Sequence, residues 1–284
     1  MTIGRQKLSE YDKRIERAEH LATEYSFSAK LLKFYGQITR FQKELFAILV
    51  KECSGEIISR ANGDLRTELN LMVLLPKYPS FLALVEANAP RPLGAAAKEL
   101  FREGSASWIA LLSEYWADGG KAEEEKISQA GDGRTALQGF LAHGFLQTYA
   151  EFVSEAMAAP TAEGTQYVCP KCSSLPLLGV LRPEGDGGKR FLRCAFCAHE
   201  WSFRRILCPA CGEEREEKLP VYVAEQFPHI RVESCDTCKH YLRTIDLTKD
   251  GNAVPEADDL AAIPLTLWAQ EHGYLRIHTN LLGA

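Results

Sequence analysis

Eight of the nine cysteines occur as four C-x-x-C pairs between residues 169 and 238. The pairs are Cys169/Cys172, Cys194/Cys197, Cys208/Cys211 and Cys235/Cys238. A C-x-x-C turn directs two sulfur atoms at one centre, and a second such turn completes a tetrahedral site of four thiolates. Four pairs therefore predict two metal sites.

The lengths of the intervening segments indicate which pairs share a site. There are 21 residues between the first and second pairs and 23 between the third and fourth, each enough for two strands and a turn. Only 10 residues separate the second pair from the third, which suits a linker between two modules. We therefore expect the first pair to join the second and the third to join the fourth. An interleaved arrangement remains open.

Disulfide bonds, a redox-active C-x-x-C and chance clustering are alternative explanations of the pairs. The first twelve residues, MTIGRQKLSEYD, are charged where a secretion signal is apolar, which disfavours disulfides. A thioredoxin-type site needs only one C-x-x-C. Metal binding is therefore favoured, and thiolates accept zinc or iron alike, so the ion stays open. Four protein ligands leave no position for substrate or water, which argues against a hydrolytic metal centre.

Composition limits the functional classes. The chain has 284 residues, a formal net charge of -5, 46% hydrophobic and 25% charged residues. It contains no apolar run approaching the ~18 residues of a membrane span. A dedicated nucleic-acid-binding protein usually carries a basic face, which this charge does not suggest. We expect a cytoplasmic protein that neither inserts in a membrane nor binds nucleic acid.

The elements before the cysteines are helical in pattern. Apolar residues recur every three or four positions, as on one face of a helix. Helices are expected near residues 8–25, 31–49, 65–75, 81–87, 95–101, 108–116 and 135–157. Residues 1–160 are thus predicted to form an all-helical domain. Within it, Cys53 is interpreted as a small buried residue and His143 as a packing or surface residue in preference to a ligand.

The cysteine region is predicted to be β-rich. After a linker at residues 158–164, strands are expected near 177–182, 189–193, 219–224, 230–233 and 241–247. They define two small modules, residues 165–207 and 208–284, the second ending in a short helix that has Pro264 in its first turn and Gly273 after its end. Asp258 and Asp259 are expected to cap or solvate that helix. The predicted fold class is α+β multidomain, with a helical domain before two four-cysteine rubredoxin-like or zinc-ribbon modules.

Basic residues cluster near the cysteine pairs. They are Lys171, Arg193, Arg204, Arg205 and Lys239. Four thiolates outweigh a divalent or trivalent ion, so we interpret these residues mainly as charge compensation. Arg204 and Arg205 are also a candidate contact for an acidic partner.

The motifs together resemble the formate dehydrogenase accessory protein family, FdhE. The resemblance rests on CPKC at 169–172, RCAFCAHEW at 193–201, CPAC at 208–211, ESCDTCKHYL at 233–242 and ADDLA at 257–261. It implies a cytoplasmic protein that is not an enzyme, with iron in two rubredoxin-like modules. It also implies a partner, the catalytic subunit of respiratory formate dehydrogenase, which is bound before export. Ser173 and Ala198 depart from the glycine that makes a tighter turn after a C-x-x-C.

Two other functions remain open at this point. A rubredoxin-like electron-transfer protein would need iron in at least one module, and the large helical region would have no role. A zinc-ribbon nucleic-acid-binding protein would need a basic face. The oligomeric state is not indicated by the sequence.

Overall fold

The structure is a computed structural model that describes residues 4–60, 65–118, 133–158, 164–185 and 187–280. Helices precede a sheet and two short ones follow most of its strands, which confirms the predicted α+β class. The chain packs as two units, one of Met1–Ile15 and Phe34–Ala158 and the other of Glu16–Lys33 and Ala159–Ala284. Most of the expected linker, 159–163, lies outside the described residues. The proposed domain boundaries stay a prediction.

The helices before the sheet agree broadly with the periodicity of the sequence. They are α1 (Arg5–Glu24), α2 (Ala29–Arg60), α3 (Leu71–Leu74), α4 (Tyr78–Asn88), α5 (Arg91–Glu103), α6 (Ser105–Asp118) and α7 (Gly133–Ala156). In the first unit, Tyr78 packs on Phe145 with ring centroids 4.7 Å apart. Glu151 is buried there and pairs with Lys7 and Arg14 at 3.1 and 3.0 Å. The core of this unit therefore combines aromatic packing with one buried ion cluster.

The expected helix over residues 65–75 is not continuous. A 3-10 turn at Leu65–Thr67 is followed by the short α3 and by a second 3-10 turn at Leu75–Lys77. The Trp116 indole donates to the carbonyl of Arg66 at 2.8 Å, and the Tyr149 hydroxyl donates to that of Glu68 at 2.6 Å. These carbonyls are satisfied by side chains instead of by the next turn of a helix.

In the second unit, seven strands of the described chain form one sheet. They are β1 (Pro176–Glu184), β2 (Gly187–Cys194), β3 (Glu200–Ser202), β4 (Val221–Val223), β5 (Ile230–Ser234), β6 (His240–Asp246) and β7 (Leu275–Arg276). Their order is β3-β2-β1-β6-β5-β4, with β7 also pairing with β6. The pairs β1–β2, β2–β3, β4–β5 and β5–β6 are antiparallel.

A parallel pairing joins the two cysteine-bearing halves of this sheet. Gly179, Val180 and Leu181 of β1 lie opposite Thr244, Ile245 and Asp246 of β6. A Cβ atom at Gly179 would approach the Thr244 Oγ1 atom to 2.2 Å, so only glycine fits there without movement. The sequence pattern did not indicate this junction, and it makes the two halves parts of one sheet.

The C-terminal segment differs from the single helix expected. It forms two short helices, α8 (Pro255–Ala261) and α9 (Ile263–Glu271). Pro264 lies in the first turn of α9 and Gly273 follows its end with φ of 78°, as predicted. The helix breaks at Ala262, whose carbonyl accepts a hydrogen bond from the Arg243 guanidinium at 2.7 Å.

Asp258 and Asp259 were expected to cap or solvate a helix, and the solvating role is wrong. Both lie within α8 and are 1% and 0% exposed. Asp258 pairs with Arg17 and with His229, and its second oxygen accepts the Val254 amide before α8. The carboxylate of Asp259 pairs with Arg243, Arg276 and Asn280. They therefore tie α8 to the sheet and to α1.

Burial alone raises the pKa of both carboxyls, but their partners outweigh it. Hydrogen bonds from His229 and Arg17 lower the pKa of Asp258, and the charges of Arg243 and Arg276 lower that of Asp259. Both groups are thus held as carboxylates, so they contribute stability above the pKa of an unfolded aspartate. That contribution is lost as the pH falls through their lowered values.

Candidate metal centres

All four C-x-x-C turns share one backbone conformation. The amide of the first cysteine donates to the carbonyl five residues later in each: Cys169 to Ser174, Cys194 to His199, Cys208 to Glu213 and Cys235 to His240, all at 2.9 Å. The residue after the second cysteine has a positive φ in each: Ser173 at 60°, Ala198 at 54°, Gly212 at 79° and Lys239 at 59°. This conformation turns both sulfurs of a pair to the same side.

The sequence-based expectation identified glycine as the better residue at 173 and 198, and the structure explains why. A side chain in the left-handed region costs about 1–2 kcal/mol, which glycine avoids. Lys239 occupies the same position and was missed. Counting from each C-x-x-C would have identified it, because every residue immediately after the second cysteine takes this conformation.

The first cluster brings together the first and second pairs, as predicted. Cys169 and Cys172 precede β1, and Cys194 ends β2, so the β1–β2 hairpin returns the second turn to the first. The Sγ atoms of Cys169 and Cys197 are 3.5 Å apart and those of Cys172 and Cys194 are 3.3 Å apart. All four side chains are buried.

The second cluster brings together the third and fourth pairs, again as predicted. The third turn follows β3, and the fourth connects β5 to β6. The Sγ atoms of Cys208 and Cys238 are 3.8 Å apart and those of Cys211 and Cys235 are 3.7 Å apart. Here Cys211 is exposed and Cys238 is half-buried.

Both clusters fit a tetrahedral ion. Metal–sulfur bonds of about 2.3 Å place neighbouring sulfurs about 3.8 Å apart. The second cluster already has this spacing, and the first needs its sulfurs to separate by a few tenths of an ångström. The four sulfurs of each set lie within 4.8 Å of one another. The observed grouping confirms the predicted pairing, while the nature of any bound ion stays open.

The first cluster also offers amide donors to sulfur. The amides of Phe196 and Cys197 donate to the Cys194 Sγ at 3.3 and 3.4 Å. Burial nevertheless raises the pKa of the Cys194 and Cys197 thiols well above the ordinary value, while hydrogen bonding with Cys169 lowers the pKa of Cys172. A cation at the centre is the species that would hold all four as thiolates.

Three of the five basic residues near the turns, Arg193, Arg204 and Lys239, pair with carboxylates. Arg193 pairs with Glu200 at 2.8 Å and with Glu256 at 2.5 Å. The side chains of Arg204 and Lys239 pair with Glu214 and Asp236 at 2.7 and 2.6 Å. These carboxylates therefore neutralise the basic side chains. The sequence pattern did not identify them as partners.

A third group of metal-ligand types contains His229, Asp250 and Asp258. The guanidinium of Arg17 already lies among them, 3.0 Å from Asp250 and 2.6 Å from Asp258. A cation is therefore present in the form of an arginine side chain, and this group is better described as an ion-pair network.

The remaining candidate residues are packing residues, as expected. Cys53 is buried in α2, far along the chain from the other cysteines. His143 is buried in α7, where its Nδ1 atom lies 2.6 Å from the Tyr115 hydroxyl. A search of the described helices found none that is long and apolar enough to cross a membrane.

Comparison with known proteins places both clusters within known domain models. Residues 168–205 match the model described as FdhE, central domain, and residues 206–282 match that described as FdhE, C-terminal domain. Cys169 to Cys197 fall in the first match and Cys208 to Cys238 in the second. Each match therefore contains one complete four-cysteine cluster.

Individual relatives agree with the domain matches. The chain is 37% identical over 116 residues to the protein FdhE homolog of Aquifex aeolicus, covering 40% of this chain and 41% of the relative. It is 38% identical over 122 residues to the Pseudomonas aeruginosa homolog, covering 41% and 40%. The matches thus span about two fifths of the length of these curated relatives.

The overall fold has a counterpart among solved structures. The crystal structure of the FdhE protein from Pseudomonas aeruginosa matches with a TM-score of 0.68 at 24% identity, covering 98% of this chain and 96% of that one. At this identity the likeness concerns the fold, and it extends the agreement to the helical part of the chain.

Proposed function

We propose, from the match of residues 168–282 to the FdhE central and C-terminal domain models, that the chain belongs to the FdhE family and is an accessory protein of formate dehydrogenase. It binds the catalytic subunit of the respiratory enzyme in the cytoplasm and is needed for assembly of that subunit into active enzyme before export. The observation that carries this proposal is the presence of one complete four-cysteine cluster in each of the two matched domains.

The geometry supports a binding role in place of catalysis. Each cluster supplies four sulfurs to one centre, so a bound ion has no free position for substrate. We assign the four cysteines of each cluster as the ligands of one ion, so the eight clustered cysteines hold two ions. An ion so held would crosslink the turns and contribute folding free energy. The protein is accordingly proposed to act as a folded binding partner, without a reaction of its own.

A tagged chain expressed in its native host, under conditions that induce formate dehydrogenase, tests this function. Mass spectrometry of the captured proteins should identify the formate dehydrogenase catalytic subunit. Deleting the gene should abolish formate oxidation by the respiratory enzyme, and the intact gene should restore it. Repeated absence of the subunit, with full formate oxidation in the deletion strain, contradicts the proposal.

Matched variants connect the function to the clusters. Replacing both Cys208 and Cys211 by serine should reduce capture of the subunit, because the second cluster loses two sulfurs. Cys53→Ala removes the cysteine outside the clusters and is the control, with capture expected to be unchanged. Full capture by the double variant would show that the second cluster has no part in docking.

Electron transfer is a second candidate because Cys211 is exposed. Bound iron would supply one-electron redox chemistry close to the surface. Purified protein that contains iron and shows a reversible visible spectrum on reduction would favour this role, particularly if the catalytic subunit is not captured. Elemental analysis that finds zinc alone would eliminate it.

A further inference from the structure

A buried arginine of β2 contacts the bases of both turns that form the second cysteine cluster. Arg190 is 3% exposed and lies four residues before Cys194, which belongs to the first cluster. One of its terminal nitrogens donates to the carbonyl of Leu207 at 3.1 Å, and the other pairs with Glu233 at 2.6 Å. Leu207 immediately precedes the third C-x-x-C turn, and Glu233 lies two residues before the fourth. One side chain of the first half of the sheet thus joins both turns of the other half.

The segment that leads to the third turn is fixed by the same arginine. Residues 203–208 form neither a helix nor a strand. The Phe203 amide donates to the Arg190 carbonyl at 3.0 Å, and the Phe203 ring centroid lies 5.3 Å from the guanidinium. The nitrogen that bonds Leu207 also donates to the Arg204 carbonyl at 2.9 Å. These bonds take the place of a strand ladder, so the position of the third turn depends on Arg190.

The third and fourth turns have little other direct connection. Apart from contacts of their sulfurs, one hydrogen bond joins them in the described chain, from the Thr237 hydroxyl to the Glu213 carboxylate at 2.6 Å. Thr237 is exposed, so water competes for this bond. In the first cluster, by contrast, the Ala195 amide donates to the Leu175 carbonyl at 3.1 Å, next to the β1–β2 ladder. The second cluster therefore relies on side chains where the first uses its backbone.

The chemistry of arginine suits this connection. A guanidinium presents its terminal nitrogens in a rigid plane and bonds two partners at once, whereas an ammonium is a single point of charge. Hydrogen bonds from a charged donor are stronger than those between neutral groups. The side chains of Arg190 and Glu233 are 3% and 18% exposed, so water competes weakly for the pair. The distance between the bases of the two turns is thus set by one rigid group.

We propose that Arg190 is a positioning residue of the second metal centre, which keeps the third and fourth turns at the separation that four sulfurs around one ion require. It acts through Leu207 and Glu233. This role presupposes that the clustered cysteines are metal ligands, as assigned under the proposed function. Arg190 lies in the residues matched by the central-domain model, and the cluster that it positions lies in those matched by the C-terminal model. The second centre is therefore incomplete without the preceding domain.

Release of cobalt(II) from the purified full-length protein tests this role. Cobalt(II) bound by four thiolates absorbs visible light, so its loss to excess chelator can be followed directly. The phase that is missing in Cys211→Ser belongs to the second cluster. Arg190→Lys should speed that phase about tenfold and leave the other within about twofold, because an ammonium cannot hold both turns. The visible spectrum of the loaded protein should stay the same, because all the sulfur ligands remain.

The phase of the first cluster separates positioning from general stability. Arg190 lies much closer along the chain to Cys194 than to any cysteine of the second cluster. A substitution that only loosened β2 would speed release from the first cluster as well. Arg193→Lys is the matched control, because Arg193 is also a buried arginine of β2 and pairs with Glu200 and Glu256, outside the third and fourth turns. It should leave the phase of the second cluster unchanged.

A second variant isolates the contact with the fourth turn. Glu233→Gln keeps an oxygen acceptor and removes the charge of a half-buried side chain, so the fold should persist even if Arg190→Lys does not fold. It should speed the phase of the second cluster about threefold, since the bond to Arg190 loses its charged acceptor.

Contrary results are readily distinguished. Unchanged release from Arg190→Lys and Glu233→Gln overturns the positioning role. Equal acceleration of both phases, or the same acceleration by Arg193→Lys, also overturns it, because Arg190 then only stabilises β2. A protein that binds no cobalt overturns the ligand assignment and this role together. The experiment needs no formate dehydrogenase, so failure to capture the catalytic subunit would contradict the accessory function and leave the role of Arg190 intact.

Discussion

The two cysteine clusters have the same backbone design and different surroundings. In both, the first cysteine amide bonds to the carbonyl five residues later, and the residue after each pair has a positive φ. All four cysteines of the first cluster are buried, whereas Cys211 of the second is exposed and Cys238 is half-buried. Local sequence therefore determines how a site is made, and the packing around it determines how accessible it is.

The largest expected difference between the clusters concerns loss of a ligand. Cys194→Ser should unfold the second unit, because metal binding contributes about 10–16 kcal/mol in comparable small sites and all four cysteines of this cluster are buried. Cys211→Ser should lose one metal equivalent and keep the fold. Circular dichroism and elemental analysis measure both effects. Equal unfolding by the two variants would remove the distinction between a buried and an open cluster.

Metal removal should distinguish the clusters without mutation. When excess chelator is added to the metal-loaded protein, we expect one equivalent to leave rapidly and the second slowly, because only Cys211 and Cys238 are accessible to solvent. A metal-sensitive dye follows the release. In Cys211→Ser the rapid phase should be absent. Release of both equivalents in one phase would mean that burial does not control access.

The junction of the two halves of the sheet provides a third test. Gly179→Ala should lower the free energy of unfolding by about 2 kcal/mol, because the added methyl group overlaps the Thr244 hydroxyl. Gly187→Ala is the matched control in β2, where an added Cβ meets nothing within 4 Å, and should change stability by less than about 0.5 kcal/mol. Denaturant unfolding measures both.

A second substitution checks the cause of that loss. Thr244→Ala removes the overlapping hydroxyl, so its combination with Gly179→Ala should cost less than the sum of the two single changes. Simple additivity would show that the β1–β6 approach is looser than the structure indicates. The clusters would then be less firmly coupled through the sheet.

The smallest expected effect is one that the clusters share. Ala198→Gly in the first should stabilise the metal-loaded protein by about 0.5–1 kcal/mol, the relief of left-handed strain less the entropy of glycine. Lys239→Gly in the second should gain less, because it also removes the ion pair with Asp236. Thermal unfolding measures both changes. A loss of stability in Ala198→Gly would contradict the strain at this backbone position.

The sequence predicted features that depend on neighbouring residues. The grouping of the cysteine pairs followed from segment lengths, and the main strands followed from apolar patterning. The β1–β6 junction did not, because a parallel pairing between residues 179 and 244 has no local signal. The roles of Asp258 and Asp259 were missed for the same reason, since Arg17 lies 241 residues from Asp258.

The pairing of Arg17 with Asp258 also concerns the order in which the chain is made. At about 5–20 residues per second, the ribosome reaches Asp258 roughly 10–50 s after Arg17. Residues 16–33 therefore emerge long before the rest of the unit to which they belong. A chain whose synthesis stalls before α8 contains all eight clustered cysteines but cannot form the Arg17–Asp258 ion pair. The second unit can therefore be completed only after residue 258 has been synthesised.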